Sequence, residues 1–291
     1  AWEQFKLTGN KAASPLRSEV AANGKLLIDE TSKDVRISNG KFSLTFDKTS
    51  GIISSWLLSG KEFLQSGPSL NLWRAPTNND GDYLPKMRRE TVKQWVATGS
   101  DKLVNSLISF QVVSNSGGSV IVRTQFKAQA PANNNYVNYS TEYTIDESGR
   151  VKVDSEIKPV GKDWISFARI GYKLIVKKGF EQFAWYGYGP QETYIDRHQG
   201  AKIGQYTGTV DEQFVHYPYP QANGNKYGCN WVSLTDNEGR GLLAQGMPYI
   251  ESSAMHYTQE NLTTAVNDHQ LLYMDDISWF IDYKNDPIGN R

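Results

Sequence analysis

Cysteine is almost missing from this chain: Cys229 stands alone among 291 residues. A lone thiol excludes an intrachain disulfide framework and a cysteine zinc cluster. Set between Gly228 and Asn230 and close to Trp231, it is expected to be a small core residue rather than a nucleophile. It does not fix the compartment, because a protein of an oxidising compartment can also lack disulfides. Histidine is scarce as well. His198, His216, His256 and His269 are separated by 18, 40 and 13 residues, so no H-x-H or H-E-x-x-H zinc motif exists, and only tertiary convergence would build a metal site. Charge of one sign is not in excess: 31 basic and 31 acidic residues cancel, with no run of five or more Lys or Arg. Neither a nucleic-acid partner nor a membrane-surface partner is expected. No apolar run approaches the length of a bilayer-crossing helix, and residues 1–30 contain no signal-peptide h-region.

Helical periodicity is confined to two stretches, Pro85 to Ala97, with its N-terminal proline and closing Gly99, and Thr258 to Val266, with Glu260 after the threonine. The rest reads as strands joined by Gly, Asn, Asp and Ser. Lys41 to Asp47 alternates apolar and polar side chains, Lys48 to Gly51 supplies a turn, and Ile52 to Leu58 returns as the second arm of a hairpin. Further strands are predicted over 106–113, 119–128, 139–145, 151–159, 165–176, 183–186, 231–235, 241–247, 251–254 and 278–282. Their number and spacing predict an all-β fold, a large antiparallel sandwich with a few short helices. Residues 1–24 read differently: a short alternating segment, Ala1 to Leu7, followed by a polar stretch with little to bury, as at the end of a preceding domain and its linker. The main β domain is placed at 25–291, with its C-terminus expected to be truncated.

The richest stretch is Trp185 to Arg197, which holds four aromatic rings, two glycines, a proline, an amide, two carboxylates and a guanidinium in thirteen residues. Aromatic faces stack on the C–H face of a sugar ring, and the polar groups match its hydroxyls. The same residues would also serve a strand leaving the core through a Gly-Pro turn, with Glu192 or Asp196 paired to Arg197 to hold the loop. Glycoside hydrolysis needs two carboxyl groups flanking the scissile bond. Asp80, Asp82, Glu192, Asp196, Asp275, Asp276 and Asp282 lie near aromatic segments, yet none stands in a pattern that marks an acid or a nucleophile. Asn78 to Asp82 places oxygen side chains at alternate positions, but Tyr83 and Arg89 fall where an EF-hand loop needs Gly and Glu, so it is read as an Asx-rich turn.

Three other segments accompany this one: Asn71 to Asp80 (NLWRAPTNND), Tyr217 to Gly224 (YPYPQANG) and Trp279 to Tyr283 (WFIDY). In this order the four segments resemble the C-terminal domain of the large β-galactosidases of glycoside hydrolase family 2, over nearly the whole chain. The resemblance implies a β supersandwich like that of the galactose mutarotases, preceded by an immunoglobulin-like linker domain that ends within residues 1–24. It implies a catalytic glutamate pair in a barrel domain of the same protein, outside this sequence. Catalytic residues and metal ligands are therefore expected to be absent here, while Mg²⁺ and Na⁺ enter only as cofactors the resemblance allows the full-length enzyme. Trp279 is expected to be an aglycone-stacking platform. Arg74, Asn78 and Asp80 are expected to form an active-site loop, acting as a wall or lid rather than in the chemistry. After Asp282, Lys284 to Pro287 departs from the usual turn of the family, which puts the local loop geometry in question.

The expected function is to shape the aglycone side of a β-galactosidase cleft and to support the barrel. The partners would be a galactoside or other carbohydrate, the barrel itself and, in the full-length protein, a second copy in a homo-oligomer; the compartment, bacterial cytoplasm or periplasm, stays open. Two alternatives remain at this point: a carbohydrate-binding module that works alone, and an aldose mutarotase using a His with a Glu or Asp.

Overall fold

The computed structural model describes Gln4 and residues 25–80, 91–114 and 118–289. The chain opens with an antiparallel five-stranded sheet of β1 (Leu27–Glu30), β2 (Asp34–Ser38), β3 (Phe42–Asp47), β4 (Ile53–Leu58) and β5 (Lys61–Glu62), in sequential order. Then comes β6 (Leu64–Asn71), the edge of a sheet completed much later. Helix α1 (Thr91–Thr98) leads into a four-stranded meander of β7 (Val104–Ser114), β8 (Ser119–Gln129), β9 (Tyr136–Asp146) and β10 (Val151–Val160). The remaining strands are β11 (Arg169–Val176), β12 (Gln182–Gly189), β13 (Lys202–Thr209), β14 (Lys226–Thr235), β15 (Gly241–Met255) and β16 (Ile277–Asn285). With β6 they form a seven-stranded sheet in the order β13-β12-β14-β15-β16-β11-β6. Two short helices, α2 (Val210–Gln213) and α3 (Gln259–Thr264), lie between these strands.

The strand periodicity does what a half-buried sheet requires. In β8 the positions Val120, Val122, Thr124, Phe126 and Ala128 are buried, and in β9 Val137, Tyr139, Thr141, Tyr143 and Ile145 are buried, with their neighbours turned outward. Side chains from all three sheets meet in one core: Val35, Leu44 and Phe46 from the first, Val122 and Tyr143 from the second, and Phe183, Trp185, Val232 and Trp279 from the third. Phe46 packs edge-on against both Phe110 and Tyr143, joining the first two sheets. Among the described residues the fold is all-β and antiparallel, with no closed barrel, as the sequence predicts.

Several boundaries differ from expectation for physical reasons. The stretches 241–247 and 251–254 form one strand, because β14 stays paired across a bulge: Trp231 lies opposite Gln245 and Cys229 opposite Ile250. Strand β6 carries a Gly-Pro pair that weakens a propensity reading, and it occupies a sheet edge, where proline's missing donor is tolerated. Strand β13, also an edge, is largely solvent-facing and so lacks an apolar run. Residues 165–168 precede β11 instead of belonging to it. Helix α3 starts where expected, with the Thr258 side chain accepting from the Asn261 N–H at 3.0 Å. Helix α2, too short for periodicity to reveal, is closed by a capping box between Thr209 and Glu212. The N-terminal half of the predicted Pro85 to Ala97 helix lies outside the described residues, as do Asp82 and all of residues 1–24 except Gln4.

Candidate functional site

Three loops and the end of β16 meet at one end of the seven-stranded sheet, and they contain the four segments that stand out in the sequence. The first leaves β6 at Asn71. Arg74 is buried and grips Asp80 with both ends of its fork, Nη1 to Oδ2 at 2.6 Å and Nη2 to Oδ1 at 3.1 Å. Asp80 Oδ2 also accepts from the Thr77 N–H at 2.7 Å and the Thr77 hydroxyl at 2.8 Å. The residues from 74 to 80 therefore form a closed loop around an ion pair, with the guanidinium stacked over Trp95 at 5.3 Å. Asn78 sits outside that pair. It is exposed, and its backbone N–H is held by Gln221 Oε1 at 3.0 Å.

The second loop follows β12. Glu192 is buried, and its Oε1 accepts from Arg197 Nη1 at 2.8 Å and from the Tyr217 hydroxyl, while Oε2 accepts from the Gly224 N–H at 2.9 Å. One carboxylate thus ties the second loop to the third. Gly224 must be glycine here: its φ is +70°, and a Cβ would stand 2.6 Å from the Gln213 carbonyl oxygen. Asn225 extends the seam by donating to the Thr193 carbonyl at 2.9 Å and to Glu251 Oε2 at 2.7 Å. Asp196 accepts backbone N–H groups from Ile288 and Gly289.

The fourth element is the C-terminal half of β16. Asp282 is fully buried, 3.6 Å from Arg169 Nε and hydrogen-bonded by Asn285 Nδ2 at 3.0 Å. Gly171 makes room for it, since a Cβ there would lie 2.2 Å from Asp282 Oδ1. Burial pushes the Asp282 carboxyl up to about 7, against the pull of Arg169 and the Asn285 amide. Glu251 is raised for the same reason, opposed by donors from Asn285 and Asn225. Burial lowers the Lys226 ammonium to about 8, with the Glu192 charge opposing; its Nζ lies 4.5 Å over Trp185. Arg169, Asn225, Lys226, Glu251 and Asn285 are central to this end of the fold yet carry no sequence signal. They come from β11, from the start of β14 and the residue before it, from β15 and from β16, and acquire meaning only when those strands pair.

Trp279 is placed differently from an exposed platform. Trp279 is 1% exposed and lies in the main core, its indole N–H donating to Ser252 Oγ at 3.0 Å and its ring edge-on to Phe63 at 6.2 Å. The β16 pleat turns it inward, opposite Leu174 and Ala254. A ring enclosed on these sides has no face left for a sugar. Arg74 and Asp80 do belong to one loop with Asn78, but as its internal brace. Only Asn78 of the three presents a side chain to solvent. Cys229 is buried, and burial holds its thiol up at about 12, which suits a core position.

The histidines do not gather. His198 packs with Tyr188 and Tyr227 in a triangle of rings, His216 pairs with Asp268 at 3.0 Å, and buried His256 uses both ring nitrogens, on the Met274 carbonyl and on Glu181. Among the described residues, no three His, Cys, Asp or Glu side chains are arranged to hold a metal ion. The buried carboxylates Asp80, Glu192, Glu251 and Asp282 are each engaged by cations or amides of the chain itself.

Residues 38–291 match the family model described as β-galactosidase small chain. The chain belongs to that family. It is 30% identical to a β-galactosidase of Priestia megaterium over 294 aligned positions, covering 99% of this chain and 26% of that protein. It is similar also to β-galactosidases of Actinobacillus pleuropneumoniae, at 28% identity over 88% of this chain and 24% of the relative, and of Kluyveromyces lactis, at 29% over 75% and 21%. The chain thus spans about a quarter of the length of these relatives. The chain is a β-galactosidase component by descent, and its packed loop end is the part of it richest in polar chemistry.

Proposed function

We propose that this chain is the C-terminal portion of a retaining β-galactosidase, in which it forms one wall of the cleft on the aglycone side and buttresses a catalytic barrel carried elsewhere in the same polypeptide. The observation that carries the reading is the family match over residues 38–291 combined with the state of the buried carboxylates. Retention requires two carboxyl groups about 5 to 5.5 Å apart, both reachable by substrate. Here the buried carboxylates of the loop end instead hold loops together, so acid and nucleophile are assigned to the remainder of the protein. Mg²⁺ and Na⁺ enter this reading only as cofactors of the full-length enzyme.

The chain's own contribution is rigidity. The Arg74–Asp80 brace and the Gln221 contact fix the backbone under Asn78 and Asn79, both exposed. An amide held on a pre-organised loop can bond a sugar hydroxyl without a further ordering cost. Trp279 takes no part in that contact; its role is to pack the sheet behind the wall. Terminal β-galactosides are the substrate class, and a homo-oligomer is the expected assembly.

The full-length protein should hydrolyse lactose and aryl β-galactosides, releasing β-galactose first as seen by NMR. Release of the α-anomer, or no turnover of either substrate, would reject the reading. Asn78→Ala should raise KM for lactose severalfold and leave an aryl β-galactoside, whose aglycone has no sugar hydroxyls, nearly unchanged. Equal effects on the two would remove Asn78 from the aglycone wall.

A further inference from the structure

A small cavity lies between the first loop and the sheet, behind the proposed wall. It has a volume of about 10 Å³, and Arg74 and Arg169 line it together with Gln259 and the apolar residues Ala75, Ala222, Met255, Leu262 and Phe280. That is room for one water-sized or monatomic occupant. Both guanidinium side chains are more than nine-tenths buried, at 1% and 4% exposure. Three of their N–H groups have no hydrogen-bond partner: Nε of Arg74, and Nε and Nη1 of Arg169.

The surrounding anions do not satisfy them. Asp80 is spent on the other two nitrogens of Arg74 and on Thr77. Asp282 stands 3.6 Å from Arg169 Nε, beyond hydrogen-bond reach. The two cations also feel each other, the Arg74 charge disfavouring that of Arg169. Such an unmet set of charged donors is costly to bury. The nature of the lining then selects the occupant. Gln259, the remaining polar residue at the cavity, exchanges both its amide hydrogen bonds with Asn71, at 3.0 and 3.1 Å. The unspent side-chain groups of the lining are therefore all donors. Asp282 Oδ1 and Asn285 Oδ1 also lack partners but do not line it. The lining side chains offer a water's hydrogens no free acceptor, whereas a halide accepts from every side and has no hydrogens to place.

We propose that the cavity between Arg74 and Arg169 is a buried binding site for a monatomic anion of halide size, which joins the braced loop at 74–80 to β11. It is independent of the glycosidase reading, since it rests on the donors and the lining alone.

Bromide in place of chloride during crystallisation of the full-length protein gives the direct test. The expected result is one anomalous peak within hydrogen-bond distance of both guanidiniums. The second measurement is denaturant unfolding in chloride and in gluconate at constant ionic strength. Stability should rise with chloride and then follow the one-site binding law, the unfolding constant falling about 11-fold at ten times the dissociation constant. Arg169→Lys keeps a positive charge but loses the fork, and should abolish both the peak and the chloride dependence. Should that variant fail to fold, the two wild-type measurements decide alone. A cavity that is empty or holds a water in the bromide crystals overturns the proposal. So does a bromide peak without any chloride dependence in solution, which would mean binding at crystal concentration only.

Discussion

Along β8 and β9 every second side chain is buried, and the buried ones are Val, Ile, Phe, Tyr, Ala and Thr; the charged residues Arg123 and Glu142 pair across the outer face at 2.7 Å. At the loop end of the seven-stranded sheet the arrangement is inverted. There Arg74, Arg169, Glu192, Glu251 and Asp282 are inside, linked by amides and backbone N–H groups. The first region could be repacked with other apolar residues at modest cost. The second fixes loop positions to a single arrangement, because a buried charge left without its partner is penalised heavily. What differs between them is geometric specification: the meander supplies a platform, and the charged end sets where the exposed residues of the four segments stand.

The two largest effects, of equal size, should come one from each side of this contrast. Trp279→Ala removes a core indole and should cost about 3 to 5 kcal/mol in denaturant unfolding. In the full-length enzyme, lactose and aryl galactosides should then lose activity to the same extent, since the ring touches neither. Arg74→Met probes the charged side. It strands Asp80 in the interior and should cost about 3 to 5 kcal/mol, most of it recovered in the Arg74→Met, Asp80→Leu double variant. If the single variant unfolds no more easily than wild type, the loop is not braced by that pair.

Asp282 gives the contrast a pH dependence. Its folded pKa of about 7 lies above the ordinary 3.8, so over this interval the folded state binds the proton that the unfolded state has released. Its contribution is fully present below about pH 4 and is lost as pH rises through about 7, an effect on the order of 2 to 4 kcal/mol. Asp282→Asn should flatten that part of the stability profile, as measured by unfolding at a series of pH values; a profile that keeps its slope would assign the titration to another group. The smallest effect belongs to the outer face of the meander. Arg123→Gln should change stability by about 0.2 to 1 kcal/mol, because both partners of its ion pair are exposed.

These two regions were also unequally legible in the sequence. Period-two alternation marks β3, β8 and β9 to within a few residues, because a one-sided sheet imposes that pattern directly. The segments at 71–80, 185–197, 217–224 and 279–283 announce the loop end by their composition. Their wiring could not be read in the same way. Glu192 bonds Gly224, and Asn225 bonds Glu251, across separations of 32 and 26 residues, and no local rule links such pairs. Trp279 shows the limit most clearly: the family resemblance implies a platform, whereas β16 places the ring in the core. Strands β6 and β13 were hidden because edge strands need neither a continuous apolar run nor a full set of donors.

The central claim, that this chain is a non-catalytic component of a β-galactosidase, is tested most directly by assaying aryl β-galactoside hydrolysis with three proteins: the full-length enzyme, residues 1–291 alone, and the full-length enzyme carrying Glu192→Gln and Asp282→Asn together. The account predicts turnover by the first, none by the second above buffer, and by the third a catalytic activity retained in proportion to the protein that remains folded. Turnover by residues 1–291 that survives repurification, or a folded double variant with its chemistry abolished, would contradict it.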